Sequence, residues 1–525
     1  MKTEEEGSLT IFSALSLLLI LSFLLALLEG ARVSGLQMMD TLAADTGMDC
    51  VAAEYQTVLW DKYHLLYLDG AYGWDQFDEN KVSSRVMDYV AGNLSETGEN
   101  SVFRTKLCEA SLLEYMFATD NDGTGMLRQA SAYMKRHLPE DVAKKMYQQY
   151  QDGKKAEADG KTEYSVEDAD QAIINAKKEK EQADQNDKEG APQEEAGEKN
   201  IQDNENNHAQ DAEDGKKESP IQIVLQLKQN ALLGMTVSDM SSLSAKAVEA
   251  KDMVSNRQCE TGRYDMKKAE KMNVSDRVMV LEYIGKHFSD YTEPGKGDLT
   301  YEMEYILCGK DTDKKNLESS IERLMRMREA ANVAHIIADR EKLNQTLMIA
   351  TSLAGFSGNP AVVKIVQIGV VAAWAYVESI LDLRTLLSGG KISLIKSAAE
   401  WTTDLKKLGE IVTGEGKARE CKNGLSYQAY IKQLLFAMKE KKMAYRMMDI
   451  MELAMQKEQN GKNARMDHMI DNMICELRFE AKPLFAKRSF YGDMEKGGYT
   501  FFKRQKLSYI NAVSYTHLTL PTNSR

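Results

Sequence analysis

The sequence predicts a mainly α-helical chain with a few short strands, an α+β fold in which an N-terminal transmembrane helix extends into a helical body. Three observations carry that prediction. Ser8–Leu28 contains no charged residue and is dominated by Leu and Ile. The 525 residues include only 7 Pro against 29 Met, a shortage of helix breakers and a surplus of long unbranched side chains. Apolar residues recur at three- and four-residue steps through much of the remainder, whereas alternation is confined to short stretches.

The first element is the apolar run. At a rise of about 1.5 Å per residue, Ser8–Leu28 reaches roughly 31 Å, the thickness of a bilayer core. The leader Met1–Gly7 holds one Lys and three Glu, whereas a secretory signal starts positive, and no A-x-A site follows. A retained, single-pass helix is therefore expected, with the lipid bilayer as its partner. Helical pattern continues past Arg32 toward Trp60. Ser22, Ala26, Gly30 and Ser34 stand four apart and form a stripe of small side chains on which another membrane helix can pack closely. Flanking charge sets no orientation, because Lys2 opposes Glu4, Glu5 and Glu6 while only Arg32 stands on the far side.

The body is read in order as an N-terminal part (29–150), an acidic insert (151–219) and a second helical part (220–511). Tyr63–Tyr67 is expected to be a strand that turns at Asp69-Gly70. Val82–Asn93, Leu107–Phe117 and Gly125–His137 are expected to be helices. The insert carries 21 Asp/Glu against 10 Lys and has Tyr164 as its only aromatic residue. It buries too little apolar surface to offset an ordering entropy of about 1–2 kcal/mol per residue, so a disordered segment is predicted, with an exposed helix over Gln171–Gln185. Beyond Pro220, Val278–Phe288 and Asn316–Leu353 carry helical spacing. Tyr301–Leu307 alternates and is expected to be a strand, paired with the one near Tyr63. Asn359 and Pro360 start a helix that runs to Leu387 and stops at Gly389-Gly390. Its uncharged stretch, Ile365–Val377, is short for a span and predicts a buried core helix. Tyr427–Lys439, Ala444–Met455 and Met466–Phe479 complete the helices. Residues 512–525 resemble a translated sequencing adapter and are set apart from the fold.

Chemistry is sparse. The net charge is −13, and with −11 of it in the insert the folded parts carry no basic field, which argues against nucleic acid as a partner. Cys50, Cys108, Cys259, Cys308, Cys421 and Cys475 form no CxxC pair and are expected to be buried free thiols. Asp120-Asn121-Asp122-Gly123 lacks both a third ligand before the glycine and the Glu six residues after it that a calcium loop needs, since Ala118 and Gln129 hold those places. Gly409 and Gly414 are followed by Glu415-Gly416-Lys417, out of register for a phosphate loop, and no HExxH or G-x-S-x-G occurs. Glu378 and Asp382 stand four apart on one helix with Trp374 a turn earlier. Such a pair can serve as acid and base, or can meet Arg384, Lys391 or Lys396 in ion pairs; the second reading is the expected one. No catalytic, cofactor-binding or metal-ligating residue is assigned, no cofactor is expected, and the chain is not expected to be an enzyme.

Gly7-Ser8-Leu9-Thr10-Ile11-Phe12 ahead of an apolar helix resembles the start of Tad-type pilin-like proteins. The resemblance implies processing between Gly7 and Ser8 and a topology with the amino terminus inside and the body outside the cell. Phe12 stands where those proteins usually carry Glu. Leu28-Glu29-Gly30-Ala31-Arg32-Val33-Ser34-Gly35, Tyr67-Leu68-Asp69-Gly70-Ala71-Tyr72-Gly73 and Glu304-Tyr305-Ile306-Leu307-Cys308-Gly309-Lys310 resemble an uncharacterised family of clostridial single-span proteins often associated with Tad pilus genes. So do Ala373-Trp374-Ala375, Glu378-Ser379, Asp382-Leu383-Arg384 and Gly389-Gly390-Lys391. That likeness implies a cell-membrane structural or assembly component with an extracytoplasmic body and pilus or secretion proteins as partners. A membrane-anchored enzyme and a ligand-binding sensor with an unrecognised site stay open as alternatives.

Overall fold

A single helix runs without a break from Lys2 to Ala52. The computed structural model describes residues 2–95, 102–160, 165–189, 219–264, 272–409, 416–458, 461–484 and 498–509. From Leu9 to Leu28 the helix is bare: Leu9, Phe12, Leu19, Phe23 and Leu27 are all more than half exposed. It is long and apolar enough to cross a membrane, and none of its most apolar window is buried. From Leu36 onward the same helix turns Ala43, Ala44, Met48 and Val51 into a hydrophobic core.

The chain divides into two units. The first joins Met1–Leu138, Glu249–Tyr283 and Lys439–Arg525; the second joins Pro139–Val248 and Ile284–Met438. Both units are thus assembled from separated stretches, where composition suggested parts arranged one after another.

The first unit is built on an antiparallel sheet of β1 (Leu68–Asp69), β2 (Lys106–Phe117), β3 (Met469–Ala481) and β4 (Tyr499–Ser508). Strand β3 is central. One edge pairs with β2, Lys106 opposite Glu480 through Phe117 opposite Ile470. The other edge takes β1 at Ile470 and β4 from Asn472–Ser508 to Ala481–Tyr499. Met473, Cys475, Leu477 and Phe479 of β3 are buried at every second residue, as a half-covered sheet requires. The N-terminal helix and the Glu79–Ser95 helix cover that face, the latter through Val82, Val86 and Val90. A Cβ at Gly47 would collide with Val90, so glycine sets the approach of these two helices.

Four expectations are corrected here. Leu107–Phe117 is strand β2, not a helix; register shifts at Leu107/Glu109, Leu112/Glu114 and Met116/Phe117 break its alternation and disguise the two-residue period. Met466–Phe479 is mostly strand β3, in which Met, Cys, Glu and Arg hold positions usually marked by β-branched residues. Tyr63–Tyr67 is not a strand: Tyr63 ends the Thr57–Tyr63 helix, His64 caps it at φ 53°, and β1 begins only at Leu68. Tyr301–Leu307 lies in a short helix, Glu302–Cys308, closed by Gly309 at φ 64°. Every residue from Met303 to Cys308 is buried, so its alternation did not divide inside from outside.

The second unit is helical. Thr312 caps Asp313–Ala338, and Asp339 both ends that helix and caps Arg340–Ala354. Asn359 accepts from the Ala361 amide, Pro360 occupies the first turn, and the helix runs to Leu387 before Gly389 takes φ 87°. Uncharged from Ile365 to Val377, Pro360–Leu387 is the core helix, with 61% of its most apolar window buried. Glu140–Asp159 and Val166–Glu189 pack into this unit, so the acidic insert is folded over residues 151–159 and 166–189. Ala169, Ile173 and Ala176 give the second of these helices one buried stripe, and Ala169 sits directly on Gly369. That single stripe escapes a compositional reading. Residues 161–164 and 190–218 of the predicted disordered segment, and the adapter-like 512–525, lie outside the described residues.

Candidate functional site

Four charged side chains meet in the interior of the second unit. Glu378 and Asp382 lie one turn apart on the core helix, and both are fully buried. Lys396 Nζ bonds Glu378 Oε1 and forms a 2.5 Å ion pair with Asp382 Oδ1. Arg328 Nε donates to Asp382 Oδ2 at 3.1 Å. Two carboxylates thus face one ammonium and one guanidinium, and the formal charges cancel. Cancellation is what makes burial tolerable, since an unpaired ion in such a place shifts its pKa or unfolds the site.

Further hydrogen bonds surround the four charges. Arg328 also donates to the carbonyls of Ser393 (3.0 Å) and Leu394 (2.8 Å) and to Tyr430 Oη (2.9 Å). Burial opposes its charge, but the neighbouring Tyr430 and Asp382 hold its pKa above the ordinary arginine value. Asn332 Nδ2 donates to Ser379 Oγ at 2.9 Å and to Asp382 Oδ2 at 3.0 Å. Glu378 accepts from the Thr402 amide at 3.1 Å and the Thr403 amide at 2.9 Å. Trp374 Nε1 donates to Thr403 Oγ1 at 2.8 Å, and its ring meets Trp401 edge-on at 5.5 Å. His335 stacks on Trp401 at 4.9 Å; burial first, and then the Lys342 ammonium, hold its pKa low.

Glu378 is therefore engaged on both oxygens by groups of the 396–403 segment. It acts as a clamp that fixes an irregular strap against the core helix, which favours ion pairing over acid–base work. The cluster lies wholly within residues 210–481, the stretch that matches a protein family described as being of unknown function, DUF5702. The chain belongs to the DUF5702 family. No curated protein and no solved structure matches it.

In this DUF5702 chain the expected Trp374, Glu378 and Asp382 come together. Of the three cations considered for them, only Lys396 arrives. Arg384 points elsewhere, its Nε donating to the Met235 carbonyl at 2.7 Å and its Nη1 to that of Gly416 at 3.2 Å. Lys391 is exposed, with its carbonyl taken by the Cys421 amide at 2.8 Å. Sequence reasoning missed Arg328 and Asn332. Their signal was present, for Arg328 follows the buried Ile321 by seven residues and Leu324 by four, a charged side chain on the apolar stripe of its helix.

The other candidates lie on the N-terminal helix. Gly7 is within it, and Ser22, Ala26 and Gly30 are exposed along it, with nothing within 4 Å of the position of a Gly30 Cβ. All six cysteines are free; Cys308, Cys421 and Cys475 are buried, while Cys50, Cys108 and Cys259 are partly exposed. Among the described residues no group of three or more His, Cys, Asp or Glu gathers as metal ligands would.

Proposed function

We propose that this DUF5702 chain is a single-pass membrane component with an extracytoplasmic body, serving a structural or assembly role beside Tad-type pilus or secretion proteins. One observation carries the reading: a single unbroken helix is bare and apolar over Leu9–Leu28 and part of the protein core by Leu36. Such a helix couples lipid to the body without a joint. The interior polar cluster supports the same reading, because its carboxylates are spent on holding chain segments together. The pilin-like Gly7-Ser8 start supports an amino terminus inside the cell and Gly7 as a processing point. The stripe of Ser22, Ala26 and Gly30 offers a face for a partner helix.

The test is membrane extraction followed by protease treatment of intact cells and co-purification from detergent. The reading expects a chain released only by detergent, a body cut from outside, and pilus or secretion subunits in the eluate. A body that resists external protease until the cells are lysed overturns the orientation. Release by salt or alkali alone overturns the anchor.

A further inference from the structure

The body begins where the apolar run ends. Leu28 is still bare, whereas the next residue, Glu29, is buried and forms a 2.9 Å ion pair with Arg32. That pair gathers two loops at the same level. Arg32 Nε donates to the Val102 carbonyl at 2.6 Å, and Glu29 Oε1 accepts from the Leu484 amide at 3.4 Å. Phe103 packs closely enough against Gly35 that a Cβ there would run into its ring. Yet each of these loops turns an apolar side chain outward: Val102 is 47% exposed, Phe103 41% and Leu484 42%. Arg104 and Lys482, both exposed, flank them.

We infer that this end of the sheet is a second membrane contact, with Val102, Phe103 and Leu484 dipping into the interfacial layer of the bilayer and Arg104 and Lys482 meeting anionic headgroups. The inference rests on the proposed span, because the span fixes the height of these loops. Glu29 is one residue and Arg32 four residues past Leu28, a climb of about 6 Å at the helical rise, which is within the depth of the headgroup region. At that level an exposed Phe or Leu is covered by acyl chain ends, and a Lys or Arg gains from negative surface potential. The first unit then meets the membrane at two places, which restricts the tilt of its unbroken helix in the bilayer.

The test uses the full chain in vesicles of brominated phosphatidylcholine, with and without phosphatidylglycerol. Phe103→Trp and Leu484→Trp each add one reporter to the native tryptophans, which include the exposed Trp74 at the opposite end of the sheet. Leu18→Trp reports on the span. Bromine is expected to quench the added emission of all three variants, and phosphatidylglycerol to deepen the loss for the two loop reporters. Quenching at Leu18→Trp with full emission at both loop positions overturns the second contact and leaves the span standing. Quenching at the loops without quenching at Leu18→Trp overturns the span and keeps the surface contact. Emission retained at all three positions overturns both.

Discussion

Tyr427 donates a 2.7 Å hydrogen bond to Glu304 Oε1 inside the second unit, while Glu304 Oε2 meets no donor among the described residues. Burial, more than any neighbour, lifts this carboxyl to about 8; Tyr427 pulls the other way and Asp290 adds to the lift. The folded chain thus holds a proton that the unfolded chain releases near 4.5.

For a carboxyl raised in this way, the stabilising contribution is complete below the unfolded value and is lost as pH climbs toward about 8. Glu304→Gln keeps the Oε1 acceptor and removes the titration. Chemical denaturation at pH 5 and pH 9 is expected to show the parent losing more stability than the variant across that window, by an amount of the order of a few kcal/mol. Equal losses would show that Glu304 does not hold its proton in the fold.

Lys396→Met strands Glu378 and Asp382 without their shared ammonium. The expected cost is about 3–5 kcal/mol, the usual penalty for breaking a buried pair from one side. Adding Glu378→Gln to Lys396→Met removes one stranded charge and is expected to recover part of the loss. Urea melts of the parent, the single and the double variant measure both effects.

Asp467 behaves oppositely to Glu304. Burial pushes its carboxyl up, but hydrogen bonds from Arg465, the Glu260 amide and Arg257 outweigh it and bring the value to about 2. Its contribution is therefore present above about 4 and disappears as pH falls toward 2. Arg257 also forks onto Glu452, at 2.6 Å and 2.8 Å, so one guanidinium ties the 249–264 segment to both acids. Arg257→Met is expected to move the acid-unfolding midpoint upward, read by near-ultraviolet circular dichroism.

Two glycines of the N-terminal helix separate packing from association. Gly47→Ala drives a methyl into Val90 and is expected to cost about 1–3 kcal/mol. Nothing lies within 4 Å of a Cβ at Gly30, so Gly30→Leu is expected to leave stability in detergent unchanged while cross-linking of membrane-embedded copies or partners falls. Unaltered cross-linking would remove the small-residue stripe from consideration as a packing face.

The membrane-length helix, the capped Pro360–Leu387 helix and the helical class of the second unit were legible because each repeats one simple signal over many residues. The sheet was not. Strand β2 carries three register shifts, and β3 alternates Met, Cys and Leu with Ile, Glu and Arg, so neither shows the pattern that marks a strand. Glu378 and Asp382 could be seen four apart, but their partners Arg328 and Lys396 come from other elements, and only the fold decides which cations arrive. Arg384, the nearest in sequence, is drawn off by the carbonyls of Met235 and Gly416.

The pairing of β3 sets an order of events during synthesis. Lys106 waits for Glu480 and Leu68 for Ile470, so the early strands have nothing to join until Met469–Ala481 has left the ribosome. Through that interval the face bearing Ala43, Met48 and Val51 lacks the sheet side of its packing. Nascent chains stopped before Met469 should therefore fall to proteolysis at their membrane-proximal half, however well their later helices have formed.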